Sequence, residues 1–332
     1  MPAQLKVVQM GLGPIGQRLV QYLAQRPFVE LVGAIDIDPQ KAGRDVGLLS
    51  GTRELGVEIS ADAGQVLQRQ AHAVILTTDS SLARIRPQLE ECLRAGKSVV
   101  STCEELAYPF EDQPEICSQL DELARQNSVA LLGTGVNPGF LMDALPLFLS
   151  SVCQQVTRVT VERHQDAAIR RLPFQRKIGA GLSPEEFDAQ YRAGHLRHVG
   201  FAQSIRLIAH AFGWHLDRVE ESVEPVIARG PTASAFIQVA PGQCAGLRQL
   251  ARGYRRGEAL IALELEAYLG HPAPRDTVTI HGQPTLSSTI QGGVDGDIAT
   301  CAMVINALQA LRSARPGLRT MADIPLTHWC GA

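Results

Sequence analysis

Gly11, Gly13 and Gly16, with Pro14 and Ile15 between the last two, form a G-x-G-x-x-G turn, and Asp36 follows 20 residues after Gly16. Residues of these types at this spacing can hold a dinucleotide. Gly11 allows a sharp exit from a strand, Gly13 lets a pyrophosphate approach bare backbone, and Gly16 lets the following helix pack closely on the sheet. The anion then rests on the unpaired amides at the helix start. A carboxylate at Asp36 can take both hydroxyls of an adenosine ribose, which favours NAD because it repels a 2′-phosphate. Lys41 and Arg44 lie close behind and could reach such a phosphate, so NADP is also open; as ordinary solvated cations they would do neither.

The elements that must position this turn are written around it. Val7, Val8 and Met10 make the strand before it, a helical run extends to Arg26, and Leu31 to Ile35 form the strand that ends on Asp36. Helix and strand continue to alternate. Strands at 72–77, 98–101 and 128–132 each run into a polar loop: Thr77-Thr78-Asp79-Ser80-Ser81, Thr102-Cys103-Glu104-Glu105, and the segment Gly133 to Gly139 that contains Asn137. Asp79 or Ser80 is expected to cap the helix 82–95. This pattern predicts a doubly wound, Rossmann-type parallel sheet over residues 1–150, with ligands beyond the carboxyl ends of its strands. The three loops belong there, with Thr77, Thr78, Thr102 and Asn137 beside the cofactor.

From about residue 152 the pattern changes. Alternating strands at 156–163 and 259–269, further strand candidates at 220–228, 233–239 and 277–281, and an amphipathic helix over 201–212 predict an α+β domain, 151–296, with a mainly antiparallel sheet. A tail helix at 297–312, in the segment 297–332, could return to the first domain. The basic run Arg170, Arg171, Arg176 and Lys177, interrupted by Phe174, could grip an anion or be a solvated loop.

Composition excludes several classes. The 332 residues suffice for about two domains, and a net charge of -3 gives no reason to expect nucleic acid or an anionic membrane as partner. No apolar run approaches the length of a membrane span. Met1-Pro2-Ala3-Gln4 leads straight into a strand, so no leader is expected, and seven scattered cysteines fit reduced thiols in a cytoplasmic enzyme. The close histidine pair, His195 and His198, has no third ligand nearby, so no metal centre is expected.

The stretches Gly11 to Gly16, Ser101 to Pro109, Gly135 to Asp143, Arg170 to Gly181, Gly292 to Asp297 and Pro316-Gly317-Leu318 together resemble the NAD(P)-dependent amine dehydrogenases related to 2,4-diaminopentanoate dehydrogenase, distant relatives of dihydrodipicolinate reductase. The resemblance implies reversible oxidative deamination of a small primary amine to a ketone or aldehyde plus ammonia, in a homodimer. It implies a catalytic carboxylate at Glu104, with Glu105 the competitor, and Asn137 at the nicotinamide. Phe140, Leu141, Met142, Phe174, Arg170 and Arg171 are candidate pocket residues, and His164 is either another or a structural histidine. The alternatives are a cyclic imine reductase like dihydrodipicolinate reductase, whose paired-histidine segment is absent around His164, and a non-catalytic NAD(P)-binding sensor.

Overall fold

The computed structural model describes residues 4–330. Met1-Pro2-Ala3, on which the expectation of no leader rests, and Gly331-Ala332 lie outside the described residues. The chain divides into two compact units, residues 1–140 with 296–332, and residues 141–295. The division thus falls at Phe140/Leu141 rather than at 150/151. The helix Ala144–Ser150 belongs to the second unit because Leu145, Leu147 and Leu149 pack on that unit's core.

In the first unit β1 (Leu5–Met10), β2 (Val29–Ile35), β3 (Ile59–Ser60), β4 (Ala73–Leu76), β5 (Ser98–Ser101) and β6 (Ala130–Gly133) alternate with helices. β4 and β6 are buried along their whole length, which explains their unbroken apolar runs. The helix Pro14–Leu23 puts Leu19, Val20 and Leu23 on its buried face.

The second unit holds β7 (Gln155–Asp166), β8 (Arg218–Ile227), the two-residue strands β9 (Thr232–Ala233) and β10 (Gln238–Val239), β11 (Cys244–Arg255), β12 (Glu258–Tyr268), β13 (Arg275–Gln283) and β14 (Leu286–Gln291). Its main sheet runs β14-β13-β7-β12-β11-β8 and is antiparallel except where β7 meets β12. Val159, Val161, Ile261, Leu263 and Leu265 face a core shared with Phe201, Ile205 and Ile208 of the helix Phe201–Ala211. On the polar face Thr277 bonds Thr289 and Thr279 bonds Ser287, both at 3.1 Å, while Arg248 grips Glu264 through two hydrogen bonds.

The strand expected over 233–239 is only the ends of a small hairpin, β9 and β10. β11, by contrast, lies inside the main sheet and has no clear signature in the sequence. Its inward positions include Gln249, which is buried, and Gly253, where a Cβ would stand 2.7 Å from the Ile205 side chain. A polar side chain and a glycine at core positions erase the alternation that marks a half-buried strand.

The tail returns to the first unit. The helix Gly296–Arg312 contributes Val304, Ile305, Leu308 and Leu311 to a core with Val7, Ile75, Val100 and Leu132. Finally β15 (Gly317–Arg319) pairs with β6, completing an all-parallel sheet in the order β15-β6-β5-β4-β1-β2-β3. No helix among the described residues is long and apolar enough to cross a membrane.

The core around Gln249 has an acid-sensitive member. Gln249 bonds the backbone of His198 in both directions, at 2.7 and 2.9 Å, and also Glu221 at 3.3 Å. Burial, followed by the charges of Lys177, Arg163 and Arg170, depresses the His198 imidazole to about 3. The unfolded chain, with an ordinary histidine near 6.5, therefore binds the extra proton between these two values. Stability should be full above about pH 6.5 and decline as pH falls toward 3, with a slope of up to about 1.4 kcal/mol per pH unit from this group. Urea midpoints measured against pH for wild type and His198→Gln should show a shallower acid slope in the variant.

Candidate active site

Every unit-one segment in question lies at the carboxyl end of a strand. The glycine turn follows β1, Thr77 follows β4, Thr102 to Glu105 follow β5, and the Asn137 loop follows β6; these four strands are consecutive neighbours. Strand spacing alone puts the Glu104 loop about 10 Å from the glycine turn.

Gly11 has φ +89, and a Cβ there would meet the Thr77 carbonyl oxygen at 2.8 Å. A Cβ on Gly16 would lie 2.0 Å from the Gly11 carbonyl oxygen, so the helix start presses directly on the turn. Gly13 differs, because a Cβ there meets no protein atom within 4 Å. The helix it caps, with Pro14 and Ile15 as first residues, receives no side-chain hydrogen bond at its start. Bare backbone facing open space and uncapped amides together fit a pyrophosphate.

Asp36 closes the other side of this cradle. Its Oδ2 accepts the Leu12 amide at 2.7 Å and the Lys41 ammonium at 3.0 Å, and its Oδ1 accepts the Asp38 amide at 2.9 Å. Burial works to raise its pKa. The amide hydrogen bonds and Lys41 outweigh burial and hold the carboxyl below the usual aspartate range. Lys41 also lies 3.6 Å from Asp38, whereas Arg44 is exposed and makes no side-chain bond to another described residue.

Thr77 is committed to the turn. Its hydroxyl donates to the Gly11 carbonyl at 2.9 Å and accepts from the buried Gln9 amide at 2.9 Å. Thr78 is exposed and bonds Gln88, and Thr102 is half-buried with its amide on the Leu76 carbonyl. Asn137 is buried in a loop with a cis bond to Pro138, and there Gly139 has φ +123 with a Cβ position only 2.4 Å from the Gly135 nitrogen.

The two glutamates have different surroundings. They begin a 3-10 turn, Glu104–Ala107. Glu105 Oε2 accepts the Leu82 amide at 2.8 Å and the Gln113 side chain at 3.1 Å. It thereby supplies the cap of the helix Leu82–Arg94, whose own cap residue, Ser81, makes no side-chain bond. The expected caps do not serve: Asp79 instead accepts the Ser81 amide at 2.8 Å, and the Ser80 carbonyl is taken by the Glu105 amide and the Cys103 thiol. The Cys103 thiol is buried, which pushes its pKa up and keeps it inert. Glu104 is half-buried, and its carboxylate makes no hydrogen bond or ion pair with another described residue. A base must have lone pairs to spare; Glu105 has one oxygen committed to the helix cap, whereas neither oxygen of Glu104 is engaged by a described residue.

The remaining candidates lie at or beyond the unit boundary. Phe140 is half-buried, Leu141 is fully buried, and Met142 belongs to the second unit's core. Arg170 is buried, donates to Gln165 at 3.0 Å and lies over the Phe174 ring at 4.2 Å; Arg171 is half-buried just before the helix Leu172–Lys177. Of the histidine pair weighed for a metal, His195 is exposed and His198 is half-buried. His164 instead meets residues far from it in the chain, Glu266 at 3.4 Å and His271 in a ring contact of 5.2 Å. Strand register brings them together, and periodicity does not reveal register.

A parallel sheet with a glycine cradle and an acid at the end of its second strand defines a nicotinamide-dinucleotide oxidoreductase. Residues 140–331 match the 2,4-diaminopentanoate dehydrogenase C-terminal domain and residues 5–107 the dihydrodipicolinate reductase N-terminus. The chain belongs to the 2,4-diaminopentanoate dehydrogenase family. It is 31% identical to the 2,4-diaminopentanoate dehydrogenase of Acetoanaerobium sticklandii, over 97% of this chain and 94% of that protein. It is 25% identical to an amine dehydrogenase of Streptomyces virginiae, over 97% and 96% of the two. The solved amine dehydrogenase of Mycobacterium smegmatis superposes with a TM-score of 0.86 at 26% identity, covering 99% of this chain and 98% of that one.

Removing the Glu105 cap should cost stability. Glu105→Ala is expected to lower unfolding free energy by about 1 kcal/mol, while Glu105→Gln, which keeps an acceptor oxygen, should lose less. Urea unfolding of the two variants beside wild type measures the difference.

Proposed function

We propose that this chain is an NAD(P)-dependent amine dehydrogenase, reversibly converting a small primary amine to a ketone or aldehyde and ammonia, with Glu104 as its catalytic carboxylate. One observation carries the assignment of Glu104. A half-buried acid with no partner among the described residues stands on a turn that its neighbour Glu105 ties down, two strands from the glycine cradle. The full-length relatives acting on amines support the reaction class.

A nicotinamide dinucleotide held at the glycine cradle and Asp36 would supply the hydride acceptor or donor. In the direction of deamination Glu104 takes the proton by which the bound ammonium becomes a free amine, loss of hydride from the adjacent carbon gives the iminium, and addition of water to that carbon releases ammonia and the carbonyl product. The 3-10 turn Glu104–Ala107 fixes the backbone that carries the Glu104 side chain. Asn137 offers its side chain to the carboxamide of the cofactor, and Asp36 offers its oxygens to the ribose, which supports NAD as the preferred form. Arg44, uncommitted to any described side chain, is available to a 2′-phosphate. Phe140, Leu141, Phe174, Arg170, Arg171 and His164 are the substrate-side residues in this reading.

The homodimer of this reading rests on the family resemblance, and seven unpaired cysteines support a cytoplasmic setting. Light scattering in solution should then give about twice the 35.9 kDa chain mass.

The deciding assay follows NAD(P)H consumption with a panel of short ketones and aldehydes, with and without ammonia. Consumption should require ammonia; equal rates without it would mean an alcohol dehydrogenase or simple reductase. Glu104→Gln should bind NAD(P)H as wild type does and turn over slower by a factor on the order of a hundred or more. Unchanged turnover in that variant would remove Glu104 from the chemistry.

A further inference from the structure

At one end of the polar face of the second unit's main sheet, three side chains from distant parts of the chain converge. His164 on β7 stands directly opposite Glu266 on β12, in the one parallel pair of that sheet. The turn after β12 brings His271 to the same point. Glu266 Oε2 lies 3.4 Å from His164 Nδ1 and 3.7 Å from His271 Nε2, and the three ligand atoms are all within 4.8 Å of one another.

These separations are long for hydrogen bonds, which centre on about 2.9 Å. The two carboxylate–imidazole separations approach another geometry, with the third separation no more than 4.8 Å. Ligand atoms held ~2.0–2.1 Å from a four-coordinate zinc ion lie about 3.4 Å apart along each edge of the tetrahedron. Two imidazoles and a carboxylate are the donor set of a three-ligand zinc site that leaves one position to solvent.

The scaffold is organised for it. Asp166 Oδ1, at the end of β7, accepts the amides of Ala168 at 2.9 Å and Gly270 at 2.8 Å, tying the β12–β13 turn to the strand that carries His164. Gly270 makes that turn with φ +80, and the His271 ring packs on Tyr268 with centroids 4.7 Å apart. The nearby cations are engaged elsewhere: Arg248 with Glu264 at 2.7 Å, and Arg275 with Glu162 at 4.0 Å. Loading has one local cost. The Ala273 amide donates to His271 Nδ1 at 3.2 Å, and ligation through Nε2 puts the proton on Nδ1, so that contact is given up.

We propose that His164, Glu266 and His271 form a binding site for a divalent transition cation such as zinc. The proposal assigns His164 to a cation in place of the substrate side and leaves the rest of the dehydrogenase reading untouched; its readout is binding rather than turnover.

Metal-free full-length protein is titrated with zinc chloride by calorimetry, and with cobalt(II) by visible absorption. One ion should bind per chain, and the cobalt spectrum should show the d–d bands of a four-coordinate nitrogen and oxygen site. Glu266→Gln and His271→Gln should each weaken binding at least about tenfold, with metal-free melting temperatures like wild type. His195→Gln, on an exposed histidine, should bind as wild type does. Absence of saturable binding, a thiolate charge-transfer band, or undiminished affinity in Glu266→Gln would each overturn the proposal. Should His271→Gln fail to fold, His164→Gln takes its place in the comparison.

Discussion

The contact on which the first unit depends is the one between the Gly16 α-carbon and the Gly11 carbonyl. There is room at that point for a hydrogen and for nothing larger, since a Cβ would stand 2.0 Å from the oxygen. That closeness seats the helix Pro14–Leu23 on the sheet and aims its uncapped amides across the end of β1. Thr77 completes the joint from the neighbouring strand, with its hydroxyl on the Gly11 carbonyl. The cradle is therefore a property of two adjacent strands, and Gly13 alone is left facing open space.

A second joint runs along the same sheet end. Glu105 and Cys103 bind the loop after β5 to the loop after β4, through the Leu82 amide and the Ser80 carbonyl. Gly133 permits the third connection, because a Cβ there would collide with the backbone of Leu106 at 2.6 Å. Loops are usually the mobile parts of such sheets. Here they are fastened to one another, and the backbone of Glu104 is carried on one of the loops so tied.

How much of this is legible in the sequence depends on whether the signal is local. The glycine turn, the acid after β2 and the buried parallel strands can be read directly, because each is set by neighbours along the chain. Two adjacent glutamates cannot be told apart that way, since what separates them is an amide 23 positions back at Leu82. β11 escapes notice because Gln249 and Gly253 occupy its core positions for reasons of packing and hydrogen bonding that only the fold supplies. His164, Glu266 and His271 are brought together by strand register, and no spacing rule covers residues so far apart.

The return of the chain's end to the first sheet has a consequence for biosynthesis. Val7, Ile75, Val100 and Leu132 on one side of that sheet find their covering partners in Val304, Ile305, Leu308 and Leu311, and the edge of β6 is paired only by β15. When the ribosome has made the first six strands, the part of that greasy side beyond Leu19 and Leu23 and that open edge still await residues not yet translated. The nucleotide-binding half, though begun first, is finished last, and the nascent chain must pass through synthesis of the entire second unit with that surface uncovered.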